Sequence, residues 1–66
     1  MDITVNGTPT AVPDNLTLTA LLVRRGGHRD GTAVALNGTV VPRSELDARR
    51  LGAGDVVEIV TAVQGG

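Results

Sequence analysis

The spacing of hydrophobic and polar residues divides the chain into short strands and one helix. Residues 2–6 alternate between polar and apolar side chains, which is the pattern of a half-buried strand. Asn6 followed by Gly7 is typical of a two-residue hairpin turn. The return arm at residues 8–12 contains Pro9, which cannot donate to an interior ladder, so we expect this arm to be an edge strand.

The next apolar segment has the period of a helix. Thr17 is suited to cap a helix over residues 18–25, and Gly26 suits the left-handed conformation that often ends one. Arginines in the predicted last turn favour the helix dipole. The residues that recur on one face are Leu18, Leu21, Leu22 and Arg25.

The second half of the chain repeats the hairpin signal. An apolar run at residues 32–36 leads into a second Asn-Gly pair at residues 37–38, and residues 39–41 form a short return before a proline. Ser44 and Asp47 have the spacing of a capping box, which predicts one brief helical turn carrying Leu46.

Residues 52–55 are predicted to turn into a last strand. The order of elements therefore indicates an α+β fold, in which a mixed sheet of four to five strands folds across one helix.

Composition restricts this fold further. The 66 residues are long enough for a single domain over 1–66, and they include neither cysteine nor an aromatic residue, so we expect an aliphatic core. Seven acidic residues against six arginines, with no lysine, leave no basic face for nucleic acid. With no apolar segment near the ~20 residues that span a bilayer, we expect a soluble, cytoplasmic protein without a membrane partner.

Several residues suggest chemistry that their surroundings do not support. His28 has no second ligand at metal spacing, so no metal site is predicted, and the Gly-Ala-Gly sequence at 52–54 precedes a strand rather than a phosphate-binding helix. Ser44 has no histidine to serve as its base. No catalytic residue is therefore predicted. The arginines that remain candidates for an acidic partner are Arg24, Arg25, Arg43, Arg49 and Arg50.

The last strand is apolar on both faces. One face is predicted from Val57, Ile59, Thr61 and Val63, and the other from Val56, Glu58, Val60 and Ala62. A strand covered on both sides explains this pattern. With a single covering helix, however, the second face meets solvent, and Glu58, Val60 and Ala62 then form a partner-binding patch.

The chain ends in Gln64, Gly65 and Gly66. Glycines are a poor end for a strand, so a frayed end or a cloning scar is one interpretation. The other is functional: a carboxylate on a thin, flexible tether at 64–66 can enter the narrow active site of a partner. Residues 63–66 reach roughly 13 Å when extended.

Taken together, these residues resemble a known family. They are Val5, Asn6 and Gly7; Thr17, Leu18, Leu21 and Leu22; residues 34–42 with Arg43 and Ser44; and Gly54, Asp55, Val57, Glu58, Ile59, Val60, Ala62, Val63, Gln64, Gly65 and Gly66. The chain is similar from end to end to the sulfur carrier proteins of thiamine biosynthesis, ThiS. The resemblance implies a ubiquitin-like β-grasp fold with adjacent, parallel first and last strands. Leu46 departs from the aromatic residue expected there.

The resemblance also implies a role as a carrier and cosubstrate, not an enzyme. An E1-like, ThiF-type adenylyltransferase would use ATP to adenylate the Gly66 carboxylate, and a persulfide donor would convert the adenylate to a thiocarboxylate. A ThiG-type thiazole synthase would then receive the sulfur. The carrier itself would bind no cofactor.

Three alternatives stay open at this stage. A small subunit of molybdopterin synthase, or a carrier for another sulfur metabolite, would share the fold and the terminal glycines, although aliphatic Ile59 and Val60 favour the thiazole pathway. A covalent protein modifier would also begin by adenylating Gly66. A regulatory module that only binds partners would be indifferent to the loss of Gly66.

Overall fold

The computed structural model describes residues 1–27 and 30–61. They form five strands, one helix and one turn of 3₁₀ helix. The strands are β1 Asp2–Val5, β2 Thr8–Ala11, β3 Thr32–Leu36, β4 Thr39–Val41 and β5 Val56–Thr61; the helix α1 is Leu18–Arg24, and the 3₁₀ turn is Arg43–Glu45.

All five strands belong to one mixed sheet in the order β2-β1-β5-β3-β4. β1 and β5 are parallel, with Thr4 opposite Val56, and the other neighbouring pairs are antiparallel. The prediction of a mixed sheet with adjacent, parallel first and last strands is confirmed. The proline-containing strand β2 lies at an edge, as its missing N–H requires.

Both hairpins turn through the Asn-Gly pairs that the sequence indicates. Asn6 and Gly7 have φ of 49° and 81°, and Asn37 and Gly38 have φ of 51° and 86°. Positive φ at both central positions is the geometry of the tight turn that matches strand twist, and asparagine and glycine adopt it at the lowest cost.

Helix α1 has the two ends that its sequence predicts. The Thr17 side-chain oxygen accepts a hydrogen bond from the Ala20 backbone N–H at 3.1 Å. At the other end Gly26 has φ of 82°, its N–H donates to the Val23 carbonyl, and the Gly27 N–H donates to the Leu22 carbonyl. These two bonds form a Schellman motif, which satisfies carbonyls that the helix leaves unpaired.

The core is aliphatic and lies between α1 and one face of the sheet. Among the described residues, no polar side chain is buried. Leu46 is 1% exposed, so a leucine fills the position where the family resemblance suggested an aromatic ring. The buried residues are Ile3, Val5, Val12, Leu18, Leu21, Leu22, Val34, Leu36, Val41, Leu46, Leu51 and Val57.

The predicted capping box at Ser44 and Asp47 is wrong, although the helical turn it was meant to start is present. Pro42 occupies the N-cap position with φ of −57°, and no side chain caps the turn. Proline fixes its own φ, so it starts the turn without help from a side chain. Ser44 lies inside the turn, and Asp47 accepts a hydrogen bond from the Thr19 hydroxyl of α1 instead.

The turn predicted at residues 52–55 is confirmed. Gly54 has φ of 82°, and the Asp55 carboxylate accepts a hydrogen bond from the Gly52 backbone N–H at 2.7 Å. Because β5 follows directly, no helix N-terminus is present here to bind a phosphate.

Candidate docking surface on the last strand

β5 is the central strand of the sheet. It pairs with β1 on one side and along its length with β3 on the other, from Val57 opposite Leu36 to Thr61 opposite Thr32. Thr61 is the last residue that the structure describes. β5 is therefore hydrogen-bonded to a strand on each side.

Two asparagine side chains also form hydrogen bonds with β5. The Asn6 side chain accepts a hydrogen bond from the Ile59 N–H at 2.8 Å and donates one to the Ile59 carbonyl at 3.3 Å. On the other side, the Asn37 side-chain oxygen accepts from the Val56 N–H at 2.8 Å, and its side-chain amide donates to the Asp55 carboxylate at 3.1 Å. The Asn37 backbone N–H also donates to the Val56 carbonyl at 2.7 Å. The residues that turn the hairpins thus also anchor β5.

The sequence pattern did not reveal this second role. An amide can donate and accept at the same time, whereas the carboxylate of aspartate, which is common in such turns, only accepts. The choice of asparagine at both turns is the signal in the sequence that could have indicated it.

The alternation predicted for β5 is confirmed for residues 56–60. Val57 is 0% exposed, whereas Val56 is 44% exposed and Val60 is 66% exposed. Glu58 is also exposed on the outer face. One face of β5 therefore belongs to the core, and the other meets solvent.

Ile59 is less buried than the sequence suggested. It packs against the core but is only partly covered. Ile59 borders a cleft with Leu22 and Gly27, at the point where α1 ends. Because the helix stops there, it covers Val57 fully and Ile59 incompletely.

The outer face of the sheet carries exposed apolar residues together with one charged residue, and we call this set the outer patch: Ala33, Val40, Val56, Glu58 and Val60. Val40 on β4 is 71% exposed. Ala33 lies opposite Val60 in the β3–β5 ladder, and Val40, Glu58 and Val60 line a shallow hollow of about 210 Å³. A protein partner is the usual ligand of such a surface, because it is apolar, open and shallow.

The structure tests only part of the predicted site. It places Glu58 and Val60 together on the exposed face, and their contact with a partner stays a prediction. Ala62, Gln64, Gly65 and Gly66 lie outside the described residues, as does His28. The docking role of Ala62 and the carrier role of residues 64–66 therefore also stay predictions.

Neither a cluster of candidate metal ligands nor a membrane-spanning helix is found in the described residues. In residues 1–27 and 30–61, no three His, Cys, Asp or Glu side chains come together as metal ligands would. The same ranges contain no helix with the length and hydrophobicity needed to span a membrane.

Comparison with known proteins identifies close similarities over the whole chain. The model of the ThiS family matches residues 3–66. A crystal structure of the thiamine biosynthesis protein ThiS from Geobacter metallireducens shares 36% sequence identity, with a TM-score of 0.84 and coverage of 100% of both chains. An NMR structure of a thiamine biosynthesis protein from Geobacter metallireducens also shares 36% identity, with a TM-score of 0.82, and the match covers 100% of this chain and 88% of that one. No curated protein gave a significant match.

Proposed function

The chain belongs to the ThiS family, and from that premise we propose that it is a sulfur carrier of thiamine biosynthesis and acts as a cosubstrate rather than as an enzyme. The family match carries the proposal. It extends through residue 66, so the two glycines belong to the part of the chain that the family model describes. The described residues add a five-stranded sheet with an exposed patch on its outer face, and such a surface suits a protein that docks on larger enzymes.

The first proposed step activates Gly66. An E1-like, ThiF-type adenylyltransferase binds ATP, and a carboxylate oxygen of Gly66 attacks the α-phosphorus and releases pyrophosphate. The product is an acyl adenylate, whose AMP is a good leaving group. In this scheme the partner supplies the magnesium, acid and base, and the carrier supplies the carboxylate.

The second step installs sulfur. The terminal sulfur of a protein persulfide attacks the acyl carbon and displaces AMP, which leaves an acyl disulfide between carrier and donor. A second thiol then attacks the donor sulfur, forms a disulfide with it and releases the carrier thiocarboxylate. A ThiG-type thiazole synthase accepts this sulfur as it builds the thiazole ring.

Both enzymes must bring Gly66 into an active site while the body of the carrier stays outside. Residues 62–66 reach about 17 Å when extended. The absence of a side chain on Gly65 and Gly66 lets this segment pass through a narrow channel. The outer patch includes Glu58 and Val60 of β5, the strand that leads to this segment, so we propose that Val60, Glu58 and Ala62 dock on the enzyme and orient the terminus.

The test is an intact-mass measurement. The full chain is incubated with ATP, the ThiF-type enzyme and a persulfide donor; we expect a gain equal to one sulfur minus one oxygen, located on Gly66 by fragmentation. A chain without Gly66 is the control and stays unchanged. A wild-type chain that gains no sulfur, although the enzyme exchanges pyrophosphate with it, contradicts the proposal.

A sulfur-transfer assay distinguishes a carrier of the thiazole pathway from carriers that serve other sulfur acceptors. The thiocarboxylate is incubated with a ThiG-type synthase and its other substrates, and thiazole product is expected together with return of the carrier to its original mass. A lysine-linked conjugate of the chain in cell extract would instead identify a protein modifier.

A further inference from the structure

The arginines of the chain were candidates for an acidic partner, and the structure separates them. Arg43 forms an ion pair with Asp30 at 2.9 Å, and the Arg50 guanidinium donates to the Asn15 carbonyl at 2.9 Å. Arg24, Arg25 and Arg49 make no side-chain hydrogen bond or ion pair within residues 1–27 and 30–61. Among the arginines that the structure describes, these three guanidinium groups are therefore the ones open to an external anion.

Arg25 differs from the other two in its position. It lines a cleft of about 180 Å³ with Leu22 and Gly27 at the end of α1, and with Ile59 and Thr61 of β5. Neither Arg24 nor Arg49 borders this cleft. Arg25 thus combines an uncompensated charge with a concave surface at the end of the last strand.

The chemistry of this cleft favours an anion. Among the described residues that line it, Arg25 is the single charged one, and the polar residues beside it are Asn6, Thr32 and Thr61. A planar guanidinium presents paired N–H donors that match the two oxygens of a carboxylate. The cleft is small enough for one side chain, so its fitting ligand is an aspartate or a glutamate of another protein.

The proposed function indicates which protein brings that carboxylate. An enzyme that receives Gly66 must approach the end of β5, and Thr61, the last residue of β5, lines the cleft. The outer patch lies on the opposite face of β5. Resting on the proposed function, we infer that a carboxylate of the activating enzyme binds Arg25, so that the enzyme grips the end of β5 from both faces.

Arg43 is less suited than Arg25 to bind the carboxylate of the partner. It lines a larger cleft, about 410 Å³, on the outer side with Ala33 and Val60. The carboxylate of Asp30 already neutralises it, so an acidic partner would have to displace an existing ion pair. No carboxylate of residues 1–27 or 30–61 pairs with Arg25, so a partner's carboxylate would not have to displace one of these.

The test compares charge reversal at two neighbouring arginines. Arg25→Glu and Arg24→Glu each remove a cation from the end of the same helix, so the loss of favourable dipole interaction is similar in both. Binding of each full-length variant to the ThiF-type enzyme is measured by calorimetry. We expect Arg25→Glu to weaken binding on the order of 30-fold, because attraction becomes repulsion, and Arg24→Glu to change it by less than about threefold.

Two further measurements make the result specific. Arg25→Lys keeps the charge but loses the fork of donors, so we expect binding between that of wild type and Arg25→Glu. The difference in binding affinity between the wild type and the Arg25→Glu variant should also decrease as the salt concentration is raised, because salt screens the interaction between charges. In the pyrophosphate-exchange assay, Arg25→Glu should raise KM for the carrier and leave kcat unchanged, because the cleft holds the body and not the reacting carboxylate.

The outcomes separate this inference from the proposed function. Equal binding of the Arg25→Glu and Arg24→Glu variants, with normal sulfur loading of the wild type, overturns the role of Arg25 and leaves the carrier function standing. Absence of sulfur loading on the wild type overturns the function itself. Matching far-UV circular dichroism of both variants and the wild type excludes unfolding as the cause of weaker binding.

Discussion

The two faces of β5 have similar sequences and opposite surroundings. The inner face carries Val57 and Ile59, and the outer face carries Val56 and Val60. Val57 is completely buried, and Val60 keeps two thirds of its surface exposed. Hydrophobicity alone does not distinguish them. The distinction comes from the single helix, which can cover only one side of the sheet.

The largest expected effect on stability comes from a charge placed on the inner face of β5, compared with a charge placed on the outer face. Val57→Asp puts a carboxylate in the core without a partner, which costs about 3 to 5 kcal/mol and unfolds a domain of this size. Val56→Asp, its neighbour on the solvent side, should cost about 1 kcal/mol or less. Far-UV circular dichroism during urea unfolding measures both, since the chain has no aromatic residue to report by fluorescence.

Equal destabilisation by these two substitutions would contradict the assignment of the faces. A stable Val57→Asp variant would mean that the sheet can shift to expose its inner side. Neither outcome depends on the identity of a partner.

Shortening the side chain of Ile59 tests the comparison at a second position on the inner face. Because Ile59 is only partly covered, Ile59→Ala should cost about 1 to 3 kcal/mol, at the low end for removal of an isoleucine side chain. Val60→Ala on the outer face should change the free energy of unfolding by less than about 0.5 kcal/mol. Thermal unfolding of both variants provides the measurement, and a greater loss for Val60→Ala would reverse the two roles.

Substitutions on the outer face of β5 should instead affect the binding of a partner protein. Val60→Asp is expected to weaken binding to the ThiF-type enzyme or to thiazole synthase by about 2 kcal/mol, because it places a charge in an apolar interface. Val23→Asp is the matched control, since Val23 is 60% exposed on the helix, away from the outer patch. Calorimetry should show near wild-type binding for Val23→Asp. Similar losses from both variants would exclude a specific role for the outer patch.

The smallest expected effect on stability concerns residues 65–66. Their removal should change the free energy of unfolding by less than about 0.5 kcal/mol, because glycines have no side chain to bury. The thermal midpoint should therefore stay nearly unchanged. Sulfur loading should be abolished. A clear loss of stability would mean that the glycines pack against the body, and loading that survives would locate the chemistry elsewhere.

Much of the fold followed from local patterns. The Asn-Gly pairs located both hairpins, and Thr17 and Gly26 located the helix, because each of these residues satisfies a backbone requirement within a few positions of itself. The parallel pairing of β1 and β5 came from the family resemblance, since no local pattern specifies which strands meet.

The errors and omissions share a cause. The sequence spacing predicts that Asp47 partners Ser44, but Asp47 accepts a hydrogen bond from Thr19 on another element. The hold of Asn6 on Ile59, the partial cover of Ile59 and the cleft beside Arg25 likewise depend on residues that are distant in the sequence. Spacing along a chain indicates which groups are neighbours on one element, and it carries no information about contacts between elements.

The sheet order also has a consequence for how the chain folds. Each hairpin closes through a two-residue turn and can form as soon as its own residues are available, whereas β5 must enter between β1 and β3. The pairing of Thr4 with Val56 closes a loop of most of the chain, and such non-local contacts form slowly. Until residue 61 has been synthesised, β1 and β3 each present an unpaired edge, which is the kind of surface that promotes aggregation. The strand that leads to Gly66 therefore also completes the sheet and removes these edges.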